Sequence, residues 1–366
     1  MNHNKPFFAA ISTALCISFL LSSCASGETP RETGSTASKP PAQQTEQMPT
    51  KPTREDIEFI TTEPGEVLMA GTTFEMCNLL YDETEQKGTF ERVDYTTDAY
   101  EDGVTYEKYC NVYLPYGYDP NGDAKYDVIY FLHGNKNDPG VLTDEILKSK
   151  LDSLFATGKV PPIIIVFPSY YMNADGDAVE RQRTGQVPAG DGNWEGLPAN
   201  FYLEITEDVI PLVESKYNTY TERFDAEGLI ASRDHRCFSG YSRGAMCTWY
   251  MFHNALPYFK WYSPMSAGCQ AGQTMGVEVT NEDAYRYLKE AADAHPDLDF
   301  FIYAASGRPN DAAALRTQMA YFEQQELFSY GNDPAENNLF YTLSDFAHSD
   351  TKVPFYYYNT LQVIFH

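Results

Sequence analysis

The pentapeptide Gly240-Tyr241-Ser242-Arg243-Gly244 has the pattern G-x-S-x-G and stands between a predicted strand and a predicted helix. Residues 236–239 are typical of the end of a short buried strand, and residues 245–252 form a run without Gly or Pro. In that context a sharp turn projects the serine hydroxyl, and side chains at the two glycine positions would collide with the neighbouring strand and helix. The pattern predicts a nucleophile elbow with Ser242 as the nucleophile. The alternative is a chance match in a loop that contains glycine and serine.

Length and composition limit the classes of protein to which the chain can belong. Its 366 residues, 43% of them apolar, are enough for one large α/β domain with a sizeable core. The formal net charge of −26 argues against nucleic-acid binding and against electrostatic binding to anionic lipid. The 28 tyrosines fit either a carbohydrate or aromatic ligand site or ordinary half-buried packing. The composition therefore favours an exported protein that acts on a neutral substrate.

The N-terminus is typical of a targeting segment. Lys5 precedes an apolar stretch from Phe7 to Leu21 that is, at about 15 residues, too short for a comfortable membrane span. The stretch ends in Leu21-Ser22-Ser23-Cys24, which looks like a bacterial lipobox. We therefore expect residues 1–23 to be a lipoprotein signal peptide and Cys24 to carry the lipid. An ordinary secretory signal with an incidental cysteine is the alternative.

The segment that follows is predicted to be a tether. Residues 24–55 are rich in Ser, Thr, Pro, Gln and Glu and cannot bury a core, so we expect them to be disordered. Residues 56–366 are expected to form the folded domain. This organisation predicts a protein at the bacterial cell surface that contacts the membrane through its N-terminal lipid only. The sequence leaves the oligomeric state open.

Continuous apolar runs alternate with helical patterns through the rest of the chain. Such runs are typical of buried parallel strands, and the alternation predicts an α/β protein with a mostly parallel, doubly wound sheet and helices on both faces. Residues 57–109 alternate short β-like pieces with polar turns, which predicts antiparallel strands at a sheet edge. The predicted parallel strands are 127–132, 162–168, 298–304 and 338–342, and the predicted helices are 143–155, 200–217, 311–327 and 353–365.

A nucleophilic serine needs a histidine base, and the base needs a carboxylate to orient it. Position and order select His348, because it follows a predicted strand and comes after Ser242 in the chain. Asp311 follows the carboxyl end of the strand 298–304, whereas Asp345 is only three residues before His348 and would need a cramped loop. We therefore predict His348 as the base and Asp311 as the carboxylate. Asp345 stays as the alternative, and Asp311 could instead be a simple helix N-cap.

The predicted turn also indicates where an oxyanion would be stabilised. The backbone N–H of Arg243 would lie at a helix N-terminus and could donate to the developing charge. The second donor is expected from the loop after the strand that ends in His133-Gly134, as the backbone N–H of Gly134 or Asn135. We expect His133 itself to brace that loop.

Aromatic residues and cysteines are the remaining residues with a candidate role in substrate binding, metal binding or disulfide formation. Several aromatic side chains are expected to line the substrate pocket, or alternatively to pack a lid: Tyr170, Tyr171, Trp194 and Tyr241. No cysteine spacing is of the metal-binding type, and a cycle of acylation and deacylation at Ser242 implies neither a metal nor a cofactor. Cys77 and Cys110 are the one pair considered as a disulfide.

The order of the motifs resembles that of a known family. The segments 111–115 (NVYLP), 130–134 (YFLHG), 239–244 (SGYSRG) and 263–268 (SPMSAG) precede Gly307 and His348. The chain from about residue 90 to residue 366 thereby resembles carbohydrate esterase family one of the α/β-hydrolase superfamily, which contains feruloyl and acetyl xylan esterases. Relatives in the superfamily include esterase D, enterochelin esterases and mycolyltransferases. The resemblance implies the α/β-hydrolase fold, with Ser242 as nucleophile, Asp311 as acid and His348 as base.

The resemblance implies a serine carboxylesterase that removes feruloyl or acetyl groups from plant polysaccharide of the xylan type. Members commonly carry Met after the serine, where this chain has Arg243. Two other functions remain open at this point. One is an enterochelin-type siderophore esterase or an acyltransferase that uses the same triad. The other is a non-catalytic surface lipoprotein that binds glycans.

Overall fold

The computed structural model describes residues 74–100, 103–134, 145–171, 200–270, 279–307 and 310–366, apart from the side chains of 310–312. Within these ranges eight strands form one sheet, in the order β1-β2-β4-β3-β5-β6-β7-β8. The pairs β1–β2 and β2–β4 are antiparallel and all other pairs are parallel, as predicted. The strands are β1 (Thr89–Thr97), β2 (Tyr106–Leu114), β3 (Val128–Leu132), β4 (Ile164–Phe167), β5 (Arg236–Tyr241), β6 (Trp261–Met265), β7 (Phe301–Ser306) and β8 (Leu339–Leu343).

Helices cover both faces of the sheet, which confirms the doubly wound α/β prediction. Helices α1 and α7 pack on one face, and α2, α4, α5 and α6 pack on the other. Helix α2 contains a π-helical stretch, Glu204–Val209, between two α-helical ones. The helices are α1 (Glu145–Ala156), α2 (Phe201–Leu203, Glu204–Val209 and Ile210–Lys216), α3 (Ala226–Ala231), α4 (Arg243–Ala255), α5 (Asn281–Ala294), α6 (Asn310–Phe322) and α7 (Val353–Thr360).

The central strands are buried from end to end. Every residue of β3 and of β4 is buried, as expected for parallel strands with helices on both sides. Along β3, Val128, Tyr130 and Leu132 face the core that contains α2, while Ile129 and Phe131 face the core that contains α1 and α7. This alternation follows from the two-residue repeat of a strand. Because β3, β5, β7 and β8 all run in the same direction, their carboxyl ends lie along one edge of the sheet.

A buried ion pair fixes the beginning of β5. Arg236 donates from Nε and Nη2 to the two carboxylate oxygens of Glu214 in α2, at 2.6 and 2.8 Å. The same guanidinium also donates to the backbone carbonyls of Leu229 and Tyr258. A buried charge pair with its remaining hydrogen bonds satisfied holds one geometry, so β5 enters the sheet in a fixed position relative to α2.

The cysteines do not pair as considered from the sequence. Cys77 and Cys110 are free thiols, and both are buried. Cys110 on β2 packs in the core with α2, whereas Cys77 packs in the core on the opposite face of the sheet. The sheet therefore separates the two sulfurs. Burial raises the pKa of the Cys110 thiol to about 12.

The N-terminal predictions concern a part of the chain that the structure does not describe. The predicted signal peptide, the predicted tether and Cys24 all lie outside the described residues. Among the helices of the described ranges, none combines the length and the apolar character needed to cross a bilayer.

Candidate active site

Ser242 occupies a strained turn between β5 and α4. Its backbone has φ 58° and ψ −114°, a left-handed conformation that is rare for residues other than glycine. The Ser242 N–H donates to the carbonyl of Met265 at the end of β6, at 2.8 Å, and so ties the turn to the neighbouring strand. The residue is half-buried, which leaves its hydroxyl accessible from the edge of the sheet. Such strain, held in place by the surrounding structure, is typical of a functional position.

The two glycines of the pentapeptide are required by close contacts between backbones. A β-carbon on Gly240 would come closer than 3.0 Å to the backbone of Gly244 in α4. A β-carbon on Gly244 would lie 2.8 Å from the carbonyl carbon of Leu132 and 2.9 Å from the carbonyl oxygen of His133. The strand–turn–helix can therefore form only when both positions lack a side chain.

The structure brings His348 to Ser242. The His348 Nε2 atom lies 2.9 Å from the Ser242 Oγ atom, across 106 residues of sequence. His348 is exposed, and its ring packs against that of Tyr241, with 4.9 Å between centroids. The loop that carries His348 is held by Phe346, whose ring contacts Phe355 at 5.3 Å. The distance is that of a hydrogen bond through which an imidazole can accept the serine proton.

The position of the predicted carboxylate is described only for its backbone. Asp311 is the second residue of α6, and its side chain lies outside the described part of the chain, so its role stays a prediction. The loops after β7 and β8 do meet, because Gly307 packs directly against the carbonyl of Phe346. Asp345 is exposed, and within the described ranges no hydrogen bond joins it to His348.

Two backbone segments adjoin the nucleophile. Arg243 is the first residue of α4, and the first N–H groups of a helix have no intrahelical acceptor. On the other side, a β-carbon on Gly134 would lie 3.4 Å from the Ser242 Cβ atom, so the end of β3 lies against the serine. Asn135, the other predicted donor, lies outside the described residues. The N-terminus of α4 and the end of β3 thus both lie next to Ser242, and their role as oxyanion donors stays a prediction.

The predicted pocket tyrosines pack next to the site. Tyr170 and Tyr171 are each 1% exposed, and their rings pack against His133, with centroids at 4.8 and 5.3 Å. The Arg243 guanidinium lies over the Tyr170 ring at 5.8 Å. Burial raises the pKa of Tyr170 well above its usual range. Trp194 lies outside the described residues.

One contact of the site escaped the sequence analysis. The Ser169 hydroxyl lies 2.8 Å from the Nε2 atom of His133. The only sequence signal was the position of Ser169 directly after a buried strand, where the carboxyl ends of parallel strands converge. Across the described ranges, no three His, Cys, Asp or Glu side chains come together as a metal site.

Comparison with protein families decides the class of this chain. The Esterase family model, described as "Putative esterase", matches residues 106–348, well over half of the chain. The chain belongs to the Esterase family. With its α/β-hydrolase fold and its serine on a nucleophile elbow, this esterase is a serine hydrolase of carboxylic esters.

Individual relatives agree with this family. The esterase is 32% identical over 270 residues to endo-1,4-beta-xylanase Y of Acetivibrio thermocellus. The matched region covers 72% of this chain but only 22% of the xylanase. The chain thus spans about a fifth of the length of this relative. A solved mutant of the feruloyl esterase module from Clostridium thermocellum, complexed with sinapinate, is 28% identical, with a TM-score of 0.65 and coverage of 81% and 95% of the two chains. A ferulic acid esterase from Anaeromyces mucronatus, at 19% identity, TM-score 0.53 and coverage of 79% and 96%, shares the fold.

Proposed function

We propose that this esterase cleaves feruloyl or acetyl esters from plant polysaccharide of the xylan type by a Ser-His-Asp mechanism. The observation that carries the mechanism is the 2.9 Å contact between Ser242 Oγ and His348 Nε2 on a strained elbow. The substrate class is supported by the similarity to a xylanase and to a feruloyl esterase module. The net charge of −26 is compatible with a neutral ester and with release of its anionic acid product.

The proposed acylation step starts at the serine. Ser242 Oγ attacks the ester carbonyl carbon while its proton passes to His348 Nε2. The carbonyl oxygen becomes an oxyanion, which accepts N–H donation from Arg243 and from the backbone after β3. The intermediate then collapses, the carbon–oxygen bond to the alcohol breaks, and His348 returns its proton to the leaving sugar hydroxyl. The acyl group remains on Ser242.

Deacylation reverses these roles with water. His348 takes a proton from the water, the resulting hydroxide attacks the acyl carbon, and the proton returns to Ser242 as the acid leaves. Asp311 is proposed to orient His348 and to stabilise its protonated form, since it follows Gly307, which contacts the loop that carries His348, by four residues. One ester and one water thus give one acid and one alcohol.

The substrate class is tested by direct hydrolysis. Purified esterase should release ferulate from methyl ferulate and feruloylated arabinoxylan, or acetate from acetylated xylan, and the rate should exceed that with a cyclic catecholate siderophore ester. Products are separated by liquid chromatography, and the Ser242→Ala variant supplies the background. Hydrolysis of the siderophore ester alone, or transfer of the acyl group to a sugar acceptor instead of water, would contradict the proposed substrate.

We also propose that the esterase acts outside the cytoplasm, tethered to the membrane by lipid on Cys24. The proposal rests on the Leu21-Ser22-Ser23-Cys24 motif after an apolar stretch. Because two acyl chains anchor a protein stably, esterase produced in a lipoprotein-processing bacterium should partition into the detergent phase of Triton X-114. The Cys24→Ala variant should move to the aqueous phase. Equal partitioning of both proteins would exclude lipidation at Cys24.

A further inference from the structure

The carbonyl oxygen of Gly134, beside the nucleophile, lies between two buried donors. His133 Nδ1 is 2.8 Å from this oxygen and the Tyr170 hydroxyl is 3.2 Å from it. His133 is fully buried and Tyr170 is 1% exposed. A carbonyl oxygen only accepts hydrogen bonds, so His133 carries a proton on Nδ1 and the Tyr170 hydroxyl donates. Two separate side chains therefore define the direction of one peptide carbonyl.

The other nitrogen of His133 has a defined partner as well. His133 Nε2 lies 2.8 Å from the Ser169 hydroxyl, which also accepts the N–H of Tyr171 at 3.2 Å. While it accepts this N–H, the Ser169 hydroxyl can donate its own proton to Nε2. These contacts can satisfy a neutral His133 with its proton on Nδ1, a form that buries no charge.

A buried ion pair anchors the segment that contains Ser169 and Tyr170. Lys108 on β2 donates to the carbonyl of Ser169 at 2.8 Å and to a carboxylate oxygen of Glu204 at 2.6 Å. Glu204 begins the π-helical stretch of α2 and also accepts from the hydroxyls of Tyr95 and Tyr100. Lys108 and Glu204 side chains are 2% and 0% exposed. The segment that supplies the Tyr170 hydroxyl is therefore held by a buried network whose polar groups are hydrogen-bonded, rather than by a mobile surface loop.

The direction of the Gly134 carbonyl matters because its oxygen carries a partial negative charge. Gly134 lies against Ser242, where a carbonyl rotated toward the reacting ester would oppose an oxyanion instead of stabilising it.

We propose that His133 and Tyr170 are positioning residues for ester hydrolysis, which hold the Gly134 carbonyl turned away from the oxyanion that forms beside Ser242. Neither side chain needs to touch the substrate. The inference rests on the proposed acyl transfer at Ser242, but not on the identity of the polysaccharide ester. It is tested with 4-nitrophenyl acetate, so an incorrect substrate class would not affect the measurement.

The decisive variant is Tyr170→Phe, which removes one oxygen atom. Active sites are counted with a fluorophosphonate, and kcat, KM and the Ki of phenylboronic acid, a tetrahedral analogue, are measured per counted site. Loss of a whole oxyanion donor costs about 10²–10³ in kcat, so a carbonyl that is free to turn toward the oxyanion should lower kcat about tenfold. KM should stay within about twofold, and the Ki should rise by the same factor as kcat falls. His133→Asn, which keeps an N–H near the Nδ1 position, should retain more activity per site than His133→Leu.

The matched control is Tyr262→Phe. Tyr262 is also 1% exposed, and its hydroxyl also donates to a backbone carbonyl, that of Phe259, at 3.4 Å. This variant should match the wild type in kcat and Ki per counted site. A purely structural role for Tyr170 would reduce the number of counted sites and leave kcat and Ki per site unchanged. That result with Tyr170→Phe would overturn the proposal even if the His133 variants fail to fold.

Discussion

Replacing Ser242 with alanine is expected to lower kcat/KM for every ester that the enzyme hydrolyses by about four to six orders of magnitude. In the proposed mechanism the variant lacks the oxygen that forms the acyl intermediate, while the backbone around it is unchanged. Steady-state hydrolysis of 4-nitrophenyl acetate measures the loss. Labelling by a fluorophosphonate should disappear with it, because the reagent reacts with an activated serine.

The partner histidine provides an internal test of this result. Because His348 Nε2 is 2.9 Å from Ser242 Oγ, the two residues should act as one unit. His348→Ala should therefore cost about as much as Ser242→Ala, and the double variant should be no worse than either. Ser266→Ala is the matched control, because Ser266 also has a left-handed backbone, with φ 62°, after the adjacent strand β6. Retention of more than about one hundredth of the activity by Ser242→Ala would exclude it as the nucleophile.

Replacing Gly244 with alanine is expected to destabilise the fold by more than about 3 kcal/mol. Overpacking of a core by a side chain typically costs about 1–3 kcal/mol. The cost is expected to be higher here because backbone atoms, rather than side chains, would have to move. The new β-carbon would lie 2.8 Å from the Leu132 carbonyl carbon and 2.9 Å from the His133 carbonyl oxygen. Both belong to the segment that adjoins the nucleophile, and neither can rotate away as a side chain could. Urea unfolding followed by tryptophan fluorescence measures the change in the free energy of unfolding.

Gly122 provides a control that separates the effect of the close contact at Gly244 from the general effect of replacing a glycine with alanine. At Gly122 the nearest atoms to an added β-carbon, which belong to Asp119, are 3.4 Å away, an ordinary van der Waals contact. Gly122→Ala should therefore change the free energy of unfolding by no more than about 1 kcal/mol. If Gly244→Ala unfolded at the same urea concentration as Gly122→Ala, the close contact between α4 and β3 would not constrain the fold as described.

The elbow and the doubly wound sheet could be predicted because their signals are local. Gly240 and Gly244 bracket a serine between an apolar strand and a helix, and this pattern fits within about twenty residues. The buried strands β3 and β4 are continuous apolar runs, which are recognisable without any knowledge of their neighbours. His348 was found from chain order, since it follows the strand before the last helix.

Elements with weaker local patterns were missed or misplaced. Strand β6 contains Pro264 and polar Ser263, and a proline within a run argues against a central strand. Helix α5 was overlooked although Thr280 and Asp283 form a capping box, because few of its residues are apolar and buried. The last helix was predicted to reach residue 365 but ends at Thr360, since buried apolar residues continue into the following turn.

The network behind the site could not be found in any sequence window. Lys108 and Glu204 are 96 residues apart, and Ser169 and His133 are 36 residues apart. Their contacts depend on the order of β2, β4 and β3 in the sheet, which the sequence predicts only as a class of fold. For the same reason Cys77 and Cys110 could not be assigned to opposite faces from their spacing.

The buried cysteines have a practical consequence for handling the enzyme. The described residues include five cysteines outside any disulfide, all of them buried: Cys77, Cys110, Cys237, Cys247 and Cys269. No cross-link among them has to form during folding, so the catalytic domain suits production in a reducing host cytoplasm without oxidative refolding. Because the thiolate is the reactive form, these sulfurs are shielded both by the packed core and, for Cys110 and Cys247, by a pKa of about 12. The rate at which a thiol reagent modifies these cysteines would thus report transient opening of the native domain, and with it the free energy of opening of the core.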